Sequence, residues 1–290
     1  MQFNMTVTIA SEHELPYLDF GLESILEKTR HEVNCTLFLA KYSDSLHEES
    51  AKLAEKFNIA YEPRGDNSLL QYNNEMRHKT FDIDQYDTLL TIQPDTVFLK
   101  KNIFDDIVDK ASEYFDEKYF ICVSSDHPDD STPLAMAFHT KLGWEKYGCD
   151  DINFYPQQGA EHDIHRRCYL AWGLDPENKE KYKAALGGKV QPEWSARIRT
   201  PYFFHAGKPW NGDPRLNSPQ LMDYAVHYFC NNVLNQRFLY YYYEKWGGAL
   251  LQEKYLLPFN KEQYSYRIPF ERCQNPYPEA KSPTLKGLII

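Results

Sequence analysis

The sequence predicts an α/β fold: a mostly parallel sheet with helices on both faces, followed by a helical C-terminal extension. Three observations predict it. As far as about Ser124, short apolar, β-branched runs alternate with stretches whose apolar residues recur every three to four positions. The connections between them are short, so successive strand–helix–strand passages read as βαβ units, which require parallel strands. The chain has 290 residues, 42% of them hydrophobic, enough to bury a core without disulfides.

Taken in order, Thr6-Val7-Thr8-Ile9-Ala10 is the first strand, bounded by Ser11. Leu15, Leu18, Leu22, Ile25 and Leu26 mark the first helical face. Cys35 to Ala40 is a buried strand by its continuous apolar run, and Ser43-Asp44-Ser45 caps a second helix carrying Leu46, Leu53, Ala54 and Phe57. Ile59-Ala60-Tyr61 is the third strand, Pro63 to Asn67 a loop, and Ser68 to Phe81 a helix. Thr88 to Ile92 is a strand ending at Gln93-Pro94-Asp95. A helix from Ile103 to Phe115 and a strand from Tyr119 to Ser124 complete the alternating region.

Beyond Ser124 the alternation is lost. Asp126 to Asp130 reads as a loop, Leu134 to Phe138 as a strand, and Lys141 to Tyr147 as a short helix stopped by Gly148. Glu161 to Trp172 is helical by spacing, Glu177 to Gly188 is a charged helix or loop, and Ile198 to His205 is a strand. Ser218-Pro219 opens a long helix running to Lys245-Trp246, where Gly247-Gly248 ends it. The expected division is a catalytic domain over 1–215 and a C-terminal helix and wrapping tail over 216–290.

Composition excludes several classes. A net charge of −10 does not favour a protein that wraps nucleic acid, which needs a basic face. No run approaches the ~18 apolar residues of a membrane span. Met1 to Thr6 does not have the basic-then-apolar pattern of a secretory signal, so a cytoplasmic chain is expected. Six cysteines, none spaced as Cys-x-x-Cys, sit in apolar or aromatic contexts and read as reduced core thiols. The first strand is not followed by Gly-x-Gly-x-x-Gly, and no phosphate-binding Gly-x-x-x-x-Gly-Lys-Ser/Thr occurs. Nicotinamide-dinucleotide and P-loop chemistry are therefore excluded.

Parallel sheets bind ligands at the carboxyl ends of their strands, which puts Ser11, Glu12, Ala40, Lys41 and Asp95 at the ligand edge. Asp95 is placed for a divalent cation or a phosphate-linked group. Glu161-His162-Asp163-Ile164-His165-Arg166-Arg167 is the densest ionisable cluster; it admits a general-base carboxylate, a metal clip of His162, Asp163 and His165, or a capped, charge-paired helix start. His205 leaves a strand for a Gly-containing loop, as a metal ligand or a structural histidine.

The order of these segments resembles nucleotide-sugar glycosyltransferases of the GT-A fold, most similar to family 2. The resemblance runs from residue 6 to about 210. It is carried by Val7 to Glu12, Tyr42-Ser43-Asp44-Ser45, Gly65 to Asn74, Leu89 to Asp95, Gly148 to Phe154, Ala160 to Arg167, and Phe204-His205-Ala206-Gly207. The family often has Asp-x-Asp where this chain has Gln93-Pro94-Asp95, and an acid where Ala40-Lys41 stand. Residues after about 215 have no match.

The resemblance implies a Rossmann-like GT-A sheet and transfer of a sugar from a nucleotide-sugar donor (UDP-, GDP- or dTDP-linked) to an acceptor hydroxyl, with inversion. It implies Mn2+ or Mg2+ held by Asp95 and His205, and donor binding by Ala10, Ser11, Glu12, Asn73, Asn74, Gln93, Asp95, Trp144, Asp150 and Asp151. Matching Arg167 to the family's arginine makes Glu161 the base; matching on acid type makes it Asp163. Trp144, Phe154, Tyr155 and Trp172 flank that segment as stacking surfaces for sugar rings. Glycan, lipid-linked glycan, protein or modified-base acceptors fit equally. Two other readings stand beside it: a metal-dependent hydrolase built on His162, Asp163 and His165, and a non-catalytic sugar-binding protein.

Overall fold

The computed structural model describes residues 1–9, 14–26, 29–40, 44–64, 69–125, 136–154, 160–173, 192–205, 240–249 and 251–278. The chain forms two compact units, Met1–Glu145 with Gln191–Gly207, and Lys146–Val190 with Lys208–Ile290. It thus enters each unit twice. The expected division at 215 lies outside the described residues.

The first unit is built on a seven-stranded, mostly parallel sheet. β1 (Gln2–Ile9) is followed by α1 (Leu15–Leu26), β2 (Glu32–Leu39), α2 (Asp44–Phe57), β3 (Ala60–Pro63) and α3 (Leu69–His78), which runs on as a wider π turn over Lys79–Ile83. Next come β4 (Thr88–Ile92), β5 (Thr96–Phe98), α4 (Ile103–Ser112), β6 (Phe120–Ser125) and β7 (Met136–Thr140). The strand order is β3-β2-β1-β4-β7-β6-β8, where β8 is Ser195–Thr200. β7 runs antiparallel between β4 and β6, and the other pairings are parallel. β5 lies outside this sheet and pairs with β9 (Phe203–His205).

The core follows from the apolar patterns. β1 is buried along almost its whole length, as a central parallel strand covered on both faces must be. Phe3, Val7, Leu37, Leu90, Ile121 and Phe138 of the sheet join one cluster with Leu18, Leu22 and Ile25 of α1 and Phe104, Ile107 and Val108 of α4. The expected helix over 68–81 is α3 plus its π turn. The strand expected over 198–205 is two strands, β8 and β9, parted at Pro201, whose ring leaves no N–H for a ladder.

α5 (Lys141–Tyr147) carries the chain into the second unit, which contains α6 (Ala160–Ala171), a helical stretch over 240–246 and a largely irregular segment over 251–278. Gly148 forms a bridge to Ile268, with the Cys149 N–H donating to the Ile268 carbonyl at 2.8 Å. Only glycine suits position 148, because φ is +70° and a Cβ would run into the Ile268 carbonyl oxygen. The long helix expected from Ser218 is described only over 240–246, and the charged segment 177–188 and the loop 126–130 lie outside the described residues. Among the described residues, no helix is long and apolar enough to cross a membrane.

Candidate functional site

In the first unit β1 has β2 and β4 on its two sides, so the winding reverses between β1 and β4. Ligands of open α/β sheets sit outside the carboxyl ends of the strands at such a reversal. The carboxyl end of β4 is the turn Gln93-Pro94-Asp95-Thr96, closed by the Thr96 N–H donating to the Gln93 carbonyl at 3.2 Å. Pro94 is at the second position of that turn, where a fixed φ is favourable, and Asp95 at the third, partly buried.

The next residues turn the chain into a second, smaller ladder. β5 pairs antiparallel with β9 in the register Thr96↔His205, Val97↔Phe204 and Phe98↔Phe203, and beyond it the Leu99 N–H donates to the Tyr202 carbonyl at 2.8 Å. Phe98 and Phe203 anchor the ladder, their rings edge-on at 5.8 Å and both buried. Two segments more than a hundred residues apart in sequence are thereby joined. His205 lies opposite Thr96, and Asp95 is the residue just before it. α1 fixes the turn from the other side: Ser24 Oγ accepts the Phe98 N–H at 3.3 Å, and a Cβ on Gly21 would lie 2.5 Å from the Thr96 carbonyl oxygen.

Backbone register brings Asp95 and His205 to neighbouring positions, and a carboxylate with an imidazole is a donor set for a cation such as Mn2+, which completes its shell with phosphate oxygens and water. Among the described residues, no group of three His, Cys, Asp or Glu is arranged to hold a metal by itself. A cation on Asp95 and His205 would therefore draw its remaining ligands from the substrate.

The second unit holds a different kind of site, a buried ion network. Asp163 is fully buried. Its Oδ2 accepts from Arg167 Nε at 2.8 Å, and its Oδ1 from Trp246 Nε1 at 2.8 Å and from Lys245 Nζ at 2.7 Å. Lys245, also fully buried, donates to Asp151 Oδ2 at 2.8 Å. Asp151 further accepts the Tyr241 hydroxyl at 2.8 Å and the Asn153 backbone and side-chain amides at 3.0 and 2.9 Å. Arg167 Nη1 donates to the carbonyls of Tyr147 and Cys149 at 2.7 and 2.9 Å. Burial alone would raise the Asp163 pKa, but Lys245 and Arg167 hold it below the ordinary carboxylate value. Burial likewise opposes the Lys245 charge, and Asp151 and Asp163 reverse that and raise its pKa.

These contacts assign the expected residues. Asp163 cannot serve as the proton acceptor, because both its oxygens already accept from cations and an indole. For the same reason it cannot join His162 and His165 in a metal clip, so the hydrolase reading loses its carboxylate ligand. Glu161, the alternative base, is the second residue of α6, in its first turn. Asp151 belongs to the ion network, and Asp150 is buried beside it in sequence. Trp144 is not a stacking surface for a sugar ring: it is 4% exposed, its indole N–H is shared between the Asp82 oxygens at 3.1 and 3.2 Å, and Phe81 lies against it. Asn74 is fully buried in α3, with no surface to offer a nucleotide, whereas Asn73 and Gln93 are partly exposed. Ala10, Ser11 and Glu12 lie outside the described residues, as does Tyr155. Phe154 is buried and packs on Tyr241.

No family model matches the sequence, and no curated protein matches it. Solved structures do. The chain is similar to the mannosyltransferase PcManGT from Pyrobaculum calidifontis in complex with GDP-Man and Mn2+, with TM-score 0.47 and 13% identity over 73% of this chain and 58% of that one. It is also similar to S. aureus TarS 1–349, with TM-score 0.45 and 10% identity over 65% and 71% of the two chains. A third similar structure is a cytidylyltransferase from Leptospira borgpetersenii, with TM-score 0.43 and 14% identity over 81% and 96%.

Sequence reasoning missed Lys245, Trp246 and Tyr241 as partners of Asp163 and Asp151. They read only as the end of an aromatic-rich helix, and nothing in their spacing tied them to residues about ninety positions earlier.

Proposed function

We propose that this protein is a glycosyltransferase that moves a sugar from a nucleotide-sugar donor to an acceptor hydroxyl, with inversion. The observation that carries the reading is the β5–β9 ladder, which puts His205 opposite Thr96, next to Asp95, at the ligand edge of the sheet. In this reading Asp95 and His205 hold Mn2+ or Mg2+. When bound, the cation supplies Lewis-acid stabilisation of the diphosphate leaving group. The turn at Pro94 and the close approach of α1 hold the backbone at Asp95. Glu161 takes the proton of the acceptor hydroxyl as its oxygen bonds to the anomeric carbon and the bond from that carbon to the donor diphosphate breaks. Glu161 is in the first turn of α6. Asp163, held by cations, keeps that turn in place and exchanges no proton.

A thermal-shift panel of UDP-, GDP-, dTDP- and CMP-sugars, each with and without Mn2+, tests the donor class. At least one pair should raise the melting temperature in a Mn2+-dependent way, by the equivalent of about 2.7 kcal/mol at a hundred times its Kd. Asp95→Ala and His205→Ala should abolish the Mn2+ dependence. Stabilisation by none of the donors would sink the transferase reading. With a donor in hand, Glu161→Gln should lower turnover by roughly 10²–10⁴ while the donor-induced shift persists. Donor binding with turnover unchanged by that substitution would leave a different base.

A further inference from the structure

We infer that Lys245 is a positioning residue for the first turn of α6: its ammonium, bonded to both Asp163 and Asp151, locks the start of that helix to the Ile152–Phe154 turn. The inference rests on the reading above in one respect only, that Glu161 works from that first turn.

The geometry is specific. Lys245 Nζ lies 2.7 Å from Asp163 Oδ1 and 2.8 Å from Asp151 Oδ2, with both carboxylates and the ammonium buried. Asp151 opens the Ile152–Phe154 turn and caps it through the Asn153 N–H, and Asp163 is the fourth residue of α6. A single side chain from the C-terminal part of the chain therefore joins the first turn of α6 to the Ile152–Phe154 turn. The rings of Phe154, Trp246 and Tyr277 lie 5.6, 5.4 and 4.6 Å from the fully buried Nζ. In such surroundings an ammonium holds its two carboxylates without competition from water. The bridge is additional to the other partners of each carboxylate. Asp163 already has Arg167, and Asp151 already has Tyr241 and Asn153.

Fixing is separable from charge balance. Lys245→Met leaves the two carboxylates with Arg167, bonded to Asp163, as the one remaining cation described in this network. The double variant Lys245→Met/Asp151→Asn removes one cation and one anion, which restores the balance but not the bridge. Amide hydrogen exchange in the full chain reads the difference at residues 164–167, whose N–H groups bond back to the carbonyls of 160–163 and so report closure of the first turn. The expected result is a double variant with a near-native melting temperature whose 164–167 amides exchange about tenfold faster or more, while those of 266–273 are unchanged. Native protection at 164–167 in the double variant overturns the inference. So does an even loss of protection across the second unit, or failure of both variants to fold, since Lys245 would then serve the fold and not the turn. None of these outcomes depends on a donor being found. A failed donor panel and a failed exchange experiment are therefore distinguishable.

Discussion

Asp163 and Glu161 are two residues apart on one helix, about 200° apart around its axis. Asp163 meets Arg167 one turn on, a spacing the sequence already displays as an acid and a base at i and i+4. Its other partners, Lys245 and Trp246, arrive from more than eighty residues away, and no local pattern announces them. Removing one member of a buried ion network strands the others, so Asp163→Asn should cost about 3–5 kcal/mol in a urea-unfolding measurement. Glu161→Gln should cost at most about 1 kcal/mol, the size of a helix-dipole contribution. Equal losses for the two would mean that Glu161 is also structural. That Glu161 and Asp163 compete for the role of base was legible in the sequence, as two acids in one dense ionisable cluster. The reason Asp163 cannot share the role was not, because it lies in contacts closed only by folding.

At the scale of elements, the ladder of β5 and β9 brings the backbones at Asp95 and His205 together. β5 is three residues long, too short to have a period of its own, and the sequence alone merges β9 with β8 into one strand. The seven strands of the main sheet, by contrast, are mostly visible as continuous apolar runs, because parallel strands covered on both faces need apolar residues throughout. The docking of α1 on β5 gives this region its most sensitive position. Gly21→Ala would put a methyl 2.5 Å from the Thr96 carbonyl oxygen, and that contact is backbone, with no flexible side chain to move aside. The expected cost is about 1–3 kcal/mol, typical of overpacking. Because the Asp95 turn must shift, the Mn2+ dependence of any donor-induced stabilisation should fall with it. A variant of native melting temperature and native Mn2+ response would show that α1 does not set this turn.

Across the whole molecule, buried titratable groups set the pH range of stability. Burial, helped by the nearby His162, lowers the His165 pKa to about 4, and burial with the Arg77 charge takes His139 well below its ordinary value. Between about pH 6.5 and 4 the unfolded chain therefore binds protons that the folded chain refuses, and stability falls as pH falls. His165 is partly exposed, so about 2 kcal/mol is a fair discounted size for its share. Asp163, with its lowered pKa, adds a loss only below the ordinary carboxylate range. On the alkaline side, burial pushes the Cys35 and Cys122 thiols up to about 12, and Tyr277 to about 12 as well. From about pH 9 upward the unfolded chain releases protons that the folded chain keeps, and stability falls again. Lys245, its pKa raised, loses its contribution as pH climbs past 10.5. Melting temperature against pH should give a plateau from about 6.5 to 9 with a limb on each side. A plateau extending down to pH 4 would contradict the lowered pKa of these histidines.

The sequence by itself determined the alternating α/β body, the strand that ends at Asp95 and, among the described residues, the buried free cysteines. Each depends on neighbours within a few residues or on a burial pattern repeated along one element, and both are written locally. Only the tertiary structure decided that His205 faces Thr96, that Trp144 is core, and that Lys245 joins Asp151 to Asp163. Those are contacts between segments tens to more than a hundred residues apart. Their partners are chosen by which faces the folded units bring together, and no spacing along the chain encodes that choice.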